Sequence, residues 1–177
     1  MYEKDVKEVF TNFLEKQGKK FKTPKGAAPD LLIDNIAVEI EGSWVNFKAT
    51  LEKYVRYALE YSSLEIVFPT DSLDVNKVYL LLLLEKLLEK KSRPPIKIHL
   101  VIEVENGNFA LKTFSTVQEL YDKTVSRILD ILESAKDLPK DEENEKIFLT
   151  LIFADEEIKN MLIEETKSSE NKISMKK

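Results

Sequence analysis

The sequence predicts an α/β protein with a mixed central β-sheet flanked by helices and an added set of C-terminal helices. Three observations lead to this class. Apolar residues recur at helical spacing near the N-terminus and again from Phe47 to Leu59. Short β-rich runs stand between and after these segments, at Leu31 to Ile33, Ile36 to Ile40 and Leu64 to Phe68. From Val117 onward only helical periodicity is found. With 177 residues, 43% of them apolar, the chain is long enough for one hydrophobic core and short for two domains. The expected division is a core over 1–115, a helical extension over 116–166 and a disordered tail over 167–177.

Taken in order, Val6, Val9, Phe10, Phe13 and Leu14 follow the i, i+3, i+4, i+7 spacing of an amphipathic helix that Gly18 stops. Leu31 to Ile33 and Ile36 to Ile40 are strands joined by Asp34-Asn35, a dipeptide that tolerates the positive φ of a tight turn. Phe47, Leu51, Tyr54, Val55, Ala58 and Leu59 form the stripe of a second helix. Leu64 to Phe68 then reads as a buried strand ended by Pro69, completing a β-β-α-β unit. A leucine-rich helix is expected from about Val75 to Lys91. Its run Leu80 to Leu84 wraps every side, which suggests burial ahead of a dimer contact. Ile96, Ile98, Leu100, Ile102 and Val104 alternate strictly, and Asn106-Gly107 turns the chain into a partner strand, Asn108 to Phe114, with one core face and one polar face. His99 falls on the polar face and reads as a surface residue. Helices return for Val117 to Ser134 and, after a polar loop over Asp137 to Glu145, for Ile147, Leu151, Ala154, Ile158 and Leu162.

Composition narrows the chemistry. The chain has no cysteine and a single histidine, which excludes thiol nucleophiles, disulfide scaffolds and cysteine-ligated zinc. Any metal would be held by carboxylates, and such ligands suit hard ions such as Mg²⁺ or Mn²⁺. No secretory or membrane-spanning run is present, so a cytoplasmic protein with no membrane partner is expected. The net charge of −5 is unevenly spread: Asp137 to Glu165 holds ten acids against three lysines, a net of −7, which leaves +2 elsewhere. Lys16, Lys19, Lys20, Lys22 and Lys25 lie just before the first hairpin, and Lys48, Lys53 and Arg56 just after it. They form either a plain solvated surface or, through Lys19, Lys20, Lys22, Lys25 and Arg56, a rim that contacts the phosphates of a nucleic acid. Phe148, Leu149, Ile152 and Phe153 extend beyond the main stripe of a C-terminal helix and suggest a protein partner or a homodimer through apolar helix surfaces.

The first hairpin carries the chemistry. A two-residue loop at Asp34-Asn35 pairs Ile33 with Ile36 and Leu31 with Val38, and sets Asp30 across from Glu39. Leu31, Ile33, Ile36, Val38 and Ile40 then share an apolar face, while Asp30, Glu39 and Glu41 share the other. Like charges directly opposed on a strand pair repel, and a bound divalent cation removes that cost. The plain alternative is an acidic sheet face balanced by neighbouring lysines.

These residues resemble the PD-(D/E)XK nuclease superfamily. Its signature is Pro-Asp at the start of one strand and (Asp/Glu)-x-Lys on the next, followed by a helix packed on the sheet. Here Pro29-Asp30-Leu31-Leu32-Ile33 precedes Val38-Glu39-Ile40-Glu41-Gly42, the helix, and then Glu65-Ile66-Val67-Phe68-Pro69. The resemblance covers roughly residues 1–70 and implies a restriction-endonuclease-like core and Mg²⁺- or Mn²⁺-dependent hydrolysis of DNA phosphodiesters. It also implies that Asp30 and Glu39 are metal ligands, with the backbone carbonyl of Ile40. The departure is Glu41, which stands where the family usually has a water-orienting lysine; some restriction enzymes of the superfamily also carry Glu there. Lys48, on the flank of Val55 and Leu59, is the candidate substitute lysine. Glu3, within about 60° of the middle of the first helix stripe, is the candidate for the glutamate that many members bring from that helix, or else a capping acid. Lys53 and Tyr57 resemble a Gln-x-x-x-Tyr motif of one nuclease branch, with Lys replacing Gln. The competing reading is a non-catalytic module that kept the fold and binds nucleic acid or a protein partner.

Overall fold

A computed structural model describes residues 1–43, 46–105, 107–167 and 172–174. The order is α1 (Glu3–Lys16), β1 (Leu31–Ile33), β2 (Ile36–Ile40), α2 (Phe47–Glu60), β3 (Ser63–Pro69), a 3₁₀ turn (Thr70–Ser72), α3 (Val75–Lys90), β4 (Lys97–Glu105), β5 (Asn108–Phe114), α4 (Val117–Ala135), α5 (Lys140–Ile152), α6 (Ala154–Lys167) and β6 (Lys172–Ser174). The six strands follow one another across a single mixed sheet. β1 and β2 pair antiparallel, β2–β3 and β3–β4 parallel, and β4–β5 and β5–β6 antiparallel. The α/β class, the mixed sheet and the C-terminal helices are as expected.

Helices cover both faces of the sheet, which is why β3, parallel to both neighbours, is buried from Leu64 to Pro69. On one face α1 sets Val6, Val9, Phe10 and Leu14 against Leu31, Val38, Ile40, Val67 and Val101. On the other, α2, α3, α4 and α6 close over Leu64, Ile66, Phe68, Ile98, Leu100 and Ile102. Two polar clamps hold this second layer. Glu85, fully buried on α3, accepts hydrogen bonds from the backbone N–H groups of Ile96 (3.0 Å), Val117 (2.9 Å) and Gln118 (3.1 Å), so one carboxylate caps α4 and fixes the entry to β4. Arg93 donates through Nε to the Ala58 carbonyl (3.0 Å) and through a terminal nitrogen to the Tyr61 carbonyl, satisfying the C-terminal end of α2.

Four expectations need correction. His99 is buried, not at the surface, because α1 packs on the face of β4 that alternation alone labels polar; its ring lies 5.0 Å from that of Phe10. In α3 only Leu81, Leu82 and Leu84 of the leucine run are buried; Leu80 and Leu83 are exposed beside Tyr79 and Leu87, because the helix lies on the sheet along one side. Most of the expected polar loop over Asp137 to Glu145 is helical, since Asp141, Glu142 and Glu143 fall in the first turn of α5, where negative charge complements the helix dipole. The expected disordered tail contributes β6, which pairs with β5; residues 168–171 and 175–177 lie outside the described residues, as does Asn106 of the second expected turn.

Candidate active site

The hairpin has the register its turn dictates: Leu31 pairs with Val38, Leu32 with Ala37 and Ile33 with Ile36, with Asp34 at φ 55°. Side chains alternate along the strands, so Glu39 and Glu41 point to the α2 side of the sheet, opposite α1. There α2 brings Lys53 and Tyr54 onto them. The Lys53 ammonium forms ion pairs with both Glu39 and Glu41, the latter at 3.1 Å, and the Tyr54 hydroxyl donates to Glu41 Oε1 at 3.1 Å. Asp30, at the mouth of the hairpin, accepts the Ile40 backbone N–H at 2.9 Å through Oδ2. Lys7 of α1 reaches the Asp30 carbonyl at 3.4 Å. Asp30, Glu39 and Glu41 are therefore brought together, with a lysine among them.

The electrostatics follow from burial. Glu39 is 1% exposed and Glu41 7%. Burial pushes the Glu39 carboxyl up to about 7; the hydrogen bond from Lys53 pulls it down, and the charge of Asp30 adds to the rise. Glu41 is raised as well, by burial first and against Lys53 and Tyr54. Burial works against the charge on Lys53, but its hydrogen bond and attraction to Glu39, and then to Glu41, hold the ammonium above its ordinary value, so the lysine stays protonated. Two buried carboxylates share the Lys53 ammonium, with the charge of Asp30 close by.

Not every expected residue reaches this cluster. Lys48 is exposed and does not join the carboxylates. The reason is the position of the helix stripe: Val55 and Leu59, with which Lys48 shares a flank, are exposed, and the buried side of α2 is formed by Tyr54, Tyr57 and Ala58. That rotation sends Lys53 to the site. Tyr57 is packed, its ring edge-on to Tyr61 and its hydroxyl accepting from Arg56 at 3.0 Å. Glu3 is exposed, yet its backbone lies against Gly42 so closely that a Cβ there would stand 2.5 Å from the Glu3 nitrogen. The start of α1 is thus seated at the exit of β2, beside the carboxylates. Lys7 and Tyr54 were not foreseen as partners of the site; reading the two tyrosines as the core of α2 would have found Lys53 and Tyr54.

The donor set is all oxygen and suits a hard cation. Among the described residues no three carboxylate or imidazole groups are gathered tightly enough to form a ready metal cage. Mg²⁺ needs fewer, since it binds through one or two carboxylates and keeps several waters. Asp30 and Glu39, with the Ile40 carbonyl at the same hairpin mouth, fit that requirement.

The basic segment before the hairpin is exposed, and it is tied down: Lys22 and Leu32 exchange both backbone hydrogen bonds at 2.9 Å, which lays the chain along the outer edge of β1. A cleft of about 560 Å³ lies there, lined by Lys19, Lys20, Phe21, Lys22, Leu32 and Asp34. The antiparallel bridge carries Lys20 and Lys19 toward the Asp34 turn, so the cleft lies at the turn end of the hairpin's outer edge. Lys25 is exposed in the same segment, and the Arg56 guanidinium lies 4.8 Å from the centre of the Tyr57 ring.

A second buried polar group lies on the opposite face. Glu65 accepts from Lys97 at 2.7 Å and pairs with His99 Nε2 at 2.9 Å, while His99 Nδ1 meets the Thr113 hydroxyl at 2.9 Å. Burial would raise Glu65, but the hydrogen bonds from His99 and Lys97 bring it down to about 2.

Comparison with protein-family models, curated proteins and solved structures finds no match to this chain. Among the described residues no helix is long and apolar enough to cross a membrane.

Proposed function

We propose that this chain is a metal-dependent nuclease that hydrolyses DNA phosphodiesters, with a restriction-endonuclease-like core of the PD-(D/E)XK kind. The observation that carries the reading is the position of Lys53. A lysine stands against Glu39 and Glu41 although the motif position itself holds Glu41, so the site has the residue types that the resemblance requires, with the lysine supplied from α2. Asp30 and Glu39 would hold Mg²⁺ or Mn²⁺ with the Ile40 carbonyl, and Glu3, exposed at the start of α1, is the further ligand that the resemblance implies. The ion, when bound, would supply charge stabilisation at phosphorus and a more acidic water. The chain's own residues do the rest. Lys53, fully protonated, orients the attacking water or a phosphate oxygen. Tyr54 fixes the Glu41 carboxylate, which keeps Lys53 in place, and burial raises the proton affinity of Glu41 above that of an ordinary carboxylate. Lys19, Lys20, Lys22 and Lys25 contact the DNA backbone along the β1 edge, with Arg56 as a further contact on α2.

One observation favours a second reading, a non-catalytic nucleic-acid-binding module: Lys53 is itself a cation for the carboxylates, so the hairpin has a charge partner without a metal. A cleavage assay separates the two. Duplex, flap, junction and single-stranded DNA are incubated with Mg²⁺ or Mn²⁺, using wild type, Glu39→Ala and Lys53→Ala. Cleavage by wild type that falls about 100-fold or more in both variants supports the nuclease. Salt-dependent DNA binding without cleavage under any condition supports the module.

A further inference from the structure

α5 is an unusual helix to leave at a surface. Of its thirteen residues only Thr150 is buried, while Phe148, Leu149, Leu151 and Ile152 are exposed, as is Phe153 directly after it. A helix of this length is marginal in water without packing on an apolar face, and these side chains form more exposed apolar surface than a chain keeps without a use. Between α4, α5 and α6 lies a cleft of about 810 Å³. Its apolar lining includes Ile131, Leu138, Leu149 and Phe153, and its charged lining is Asp130, Glu142, Glu145 and Glu157 against Arg127 and Lys146, an acidic surplus of two. Inside it, Arg127 donates to Glu157 at 3.3 Å, and its Nε is buried without a hydrogen-bond partner among the described residues.

We propose that the α4–α5–α6 cleft is a docking site for an amphipathic basic helix of another protein, which places apolar side chains between α4 and α5 and lysine or arginine residues against the acidic rim. Charge decides the occupant. A second copy of this chain would bring the same acid-rich segment against itself, net −7 over residues 137–165, and like charges in register are costly. A small apolar ligand would fill the cleft and leave Phe148, Leu151 and Ile152, which continue the apolar surface along α5, uncovered. A helical peptide spans both and matches the acidic surplus of the rim. This site is remote in sequence from the carboxylate hairpin and does not depend on how that hairpin is read.

The test uses the full chain and two fluorescent helical peptides with identical Leu/Phe faces, one with lysines and one with glutamates on the opposite face, measured by anisotropy at low and high salt. The lysine peptide should bind at least about tenfold more tightly, with affinity falling as salt rises. Leu149→Glu and, separately, the exposed-rim double change Glu142→Lys with Glu145→Lys should each weaken it by about tenfold or more, while the far-UV circular dichroism stays that of wild type. Equal binding of the two peptides, no binding of either, or a lysine peptide indifferent to both variants overturns the proposal. So does a concentration-dependent dimer that Leu149→Glu dissociates, because the face would then belong to a second copy.

Discussion

Replacing Lys53 by Met is the most informative single change to the proposed site. It keeps most of the side-chain volume and removes the ammonium, leaving Glu39 and Glu41, which are 1% and 7% exposed, without their cation and with Asp30 close by. Removing one partner of a buried ion pair costs about 3–5 kcal/mol because the remaining charge is left uncompensated. Lys53 is itself one-third exposed, so water carries part of that charge in wild type and the expected loss at pH 8 is nearer about 2–3 kcal/mol. The loss depends on pH in a defined direction. Without the lysine the Glu39 pKa, already raised to about 7, moves further above its unfolded value. An acid with a raised folded pKa is penalised above its unfolded pKa and relieved as pH falls, so Lys53→Met should cost less at pH 5 than at pH 8. Urea unfolding of both proteins at the two pH values measures this, and repeating it with millimolar Mn²⁺ asks whether a divalent ion restores more stability to the variant than to wild type. A change below about 0.5 kcal/mol at pH 8, or a penalty that grows on acidification, would refute the reasoning.

Three further predictions concern what holds the site in place. Glu85→Ala orphans two buried backbone N–H groups and a partly buried third at once and should cost about 3 kcal/mol or more in chemical denaturation, with Glu85→Gln recovering part of it. Gly42→Ala forces a methyl against the Glu3 backbone and should destabilise by about 1–3 kcal/mol, shifting the amide resonances of the first turn of α1 relative to β2. Glu65, held down to about 2 against an ordinary 4.5, contributes stability that is complete above pH 4.5 and is lost as pH falls toward 2; Glu65→Gln should flatten the acid limb of the stability profile in that window, and an unchanged limb would remove the pairing of Glu65 with His99 and Lys97 as its cause.

The hairpin was legible because two local rules agree there: a two-residue turn fixes the register, and the period of two then fixes which side chains share a face. The acid cluster followed without any knowledge of the rest of the chain. What could not be read is what packs on each face. Strict alternation in β4 marks one side as polar, but α1 returns over that side and buries His99 with Glu65 beneath Phe10. The same limit governed α2, whose stripe of Phe47, Leu51, Tyr54, Val55, Ala58 and Leu59 leaves open whether its Val55–Leu59 flank or its Tyr54–Tyr57 flank is the buried one. Only the packing of α2 on the sheet separates them, and the choice moves the site lysine from Lys48 to Lys53. Acids in the first turn of α5 read equally well as a solvated loop or as charge complementing a helix N-terminus, and the sequence does not distinguish these.

The central claim is that the hairpin cluster binds a divalent cation, and Mn²⁺ titration by calorimetry tests it most directly. Wild type should bind one Mn²⁺ per chain at millimolar concentration or below, releasing protons near pH 7 as the raised Glu39 ionises, and Asp30→Ala and Glu39→Ala should each weaken it by about tenfold or more. Equal binding by wild type and Asp30→Ala, or none by either at millimolar Mn²⁺, would contradict the account and leave Lys53 as the only cation the carboxylates hold.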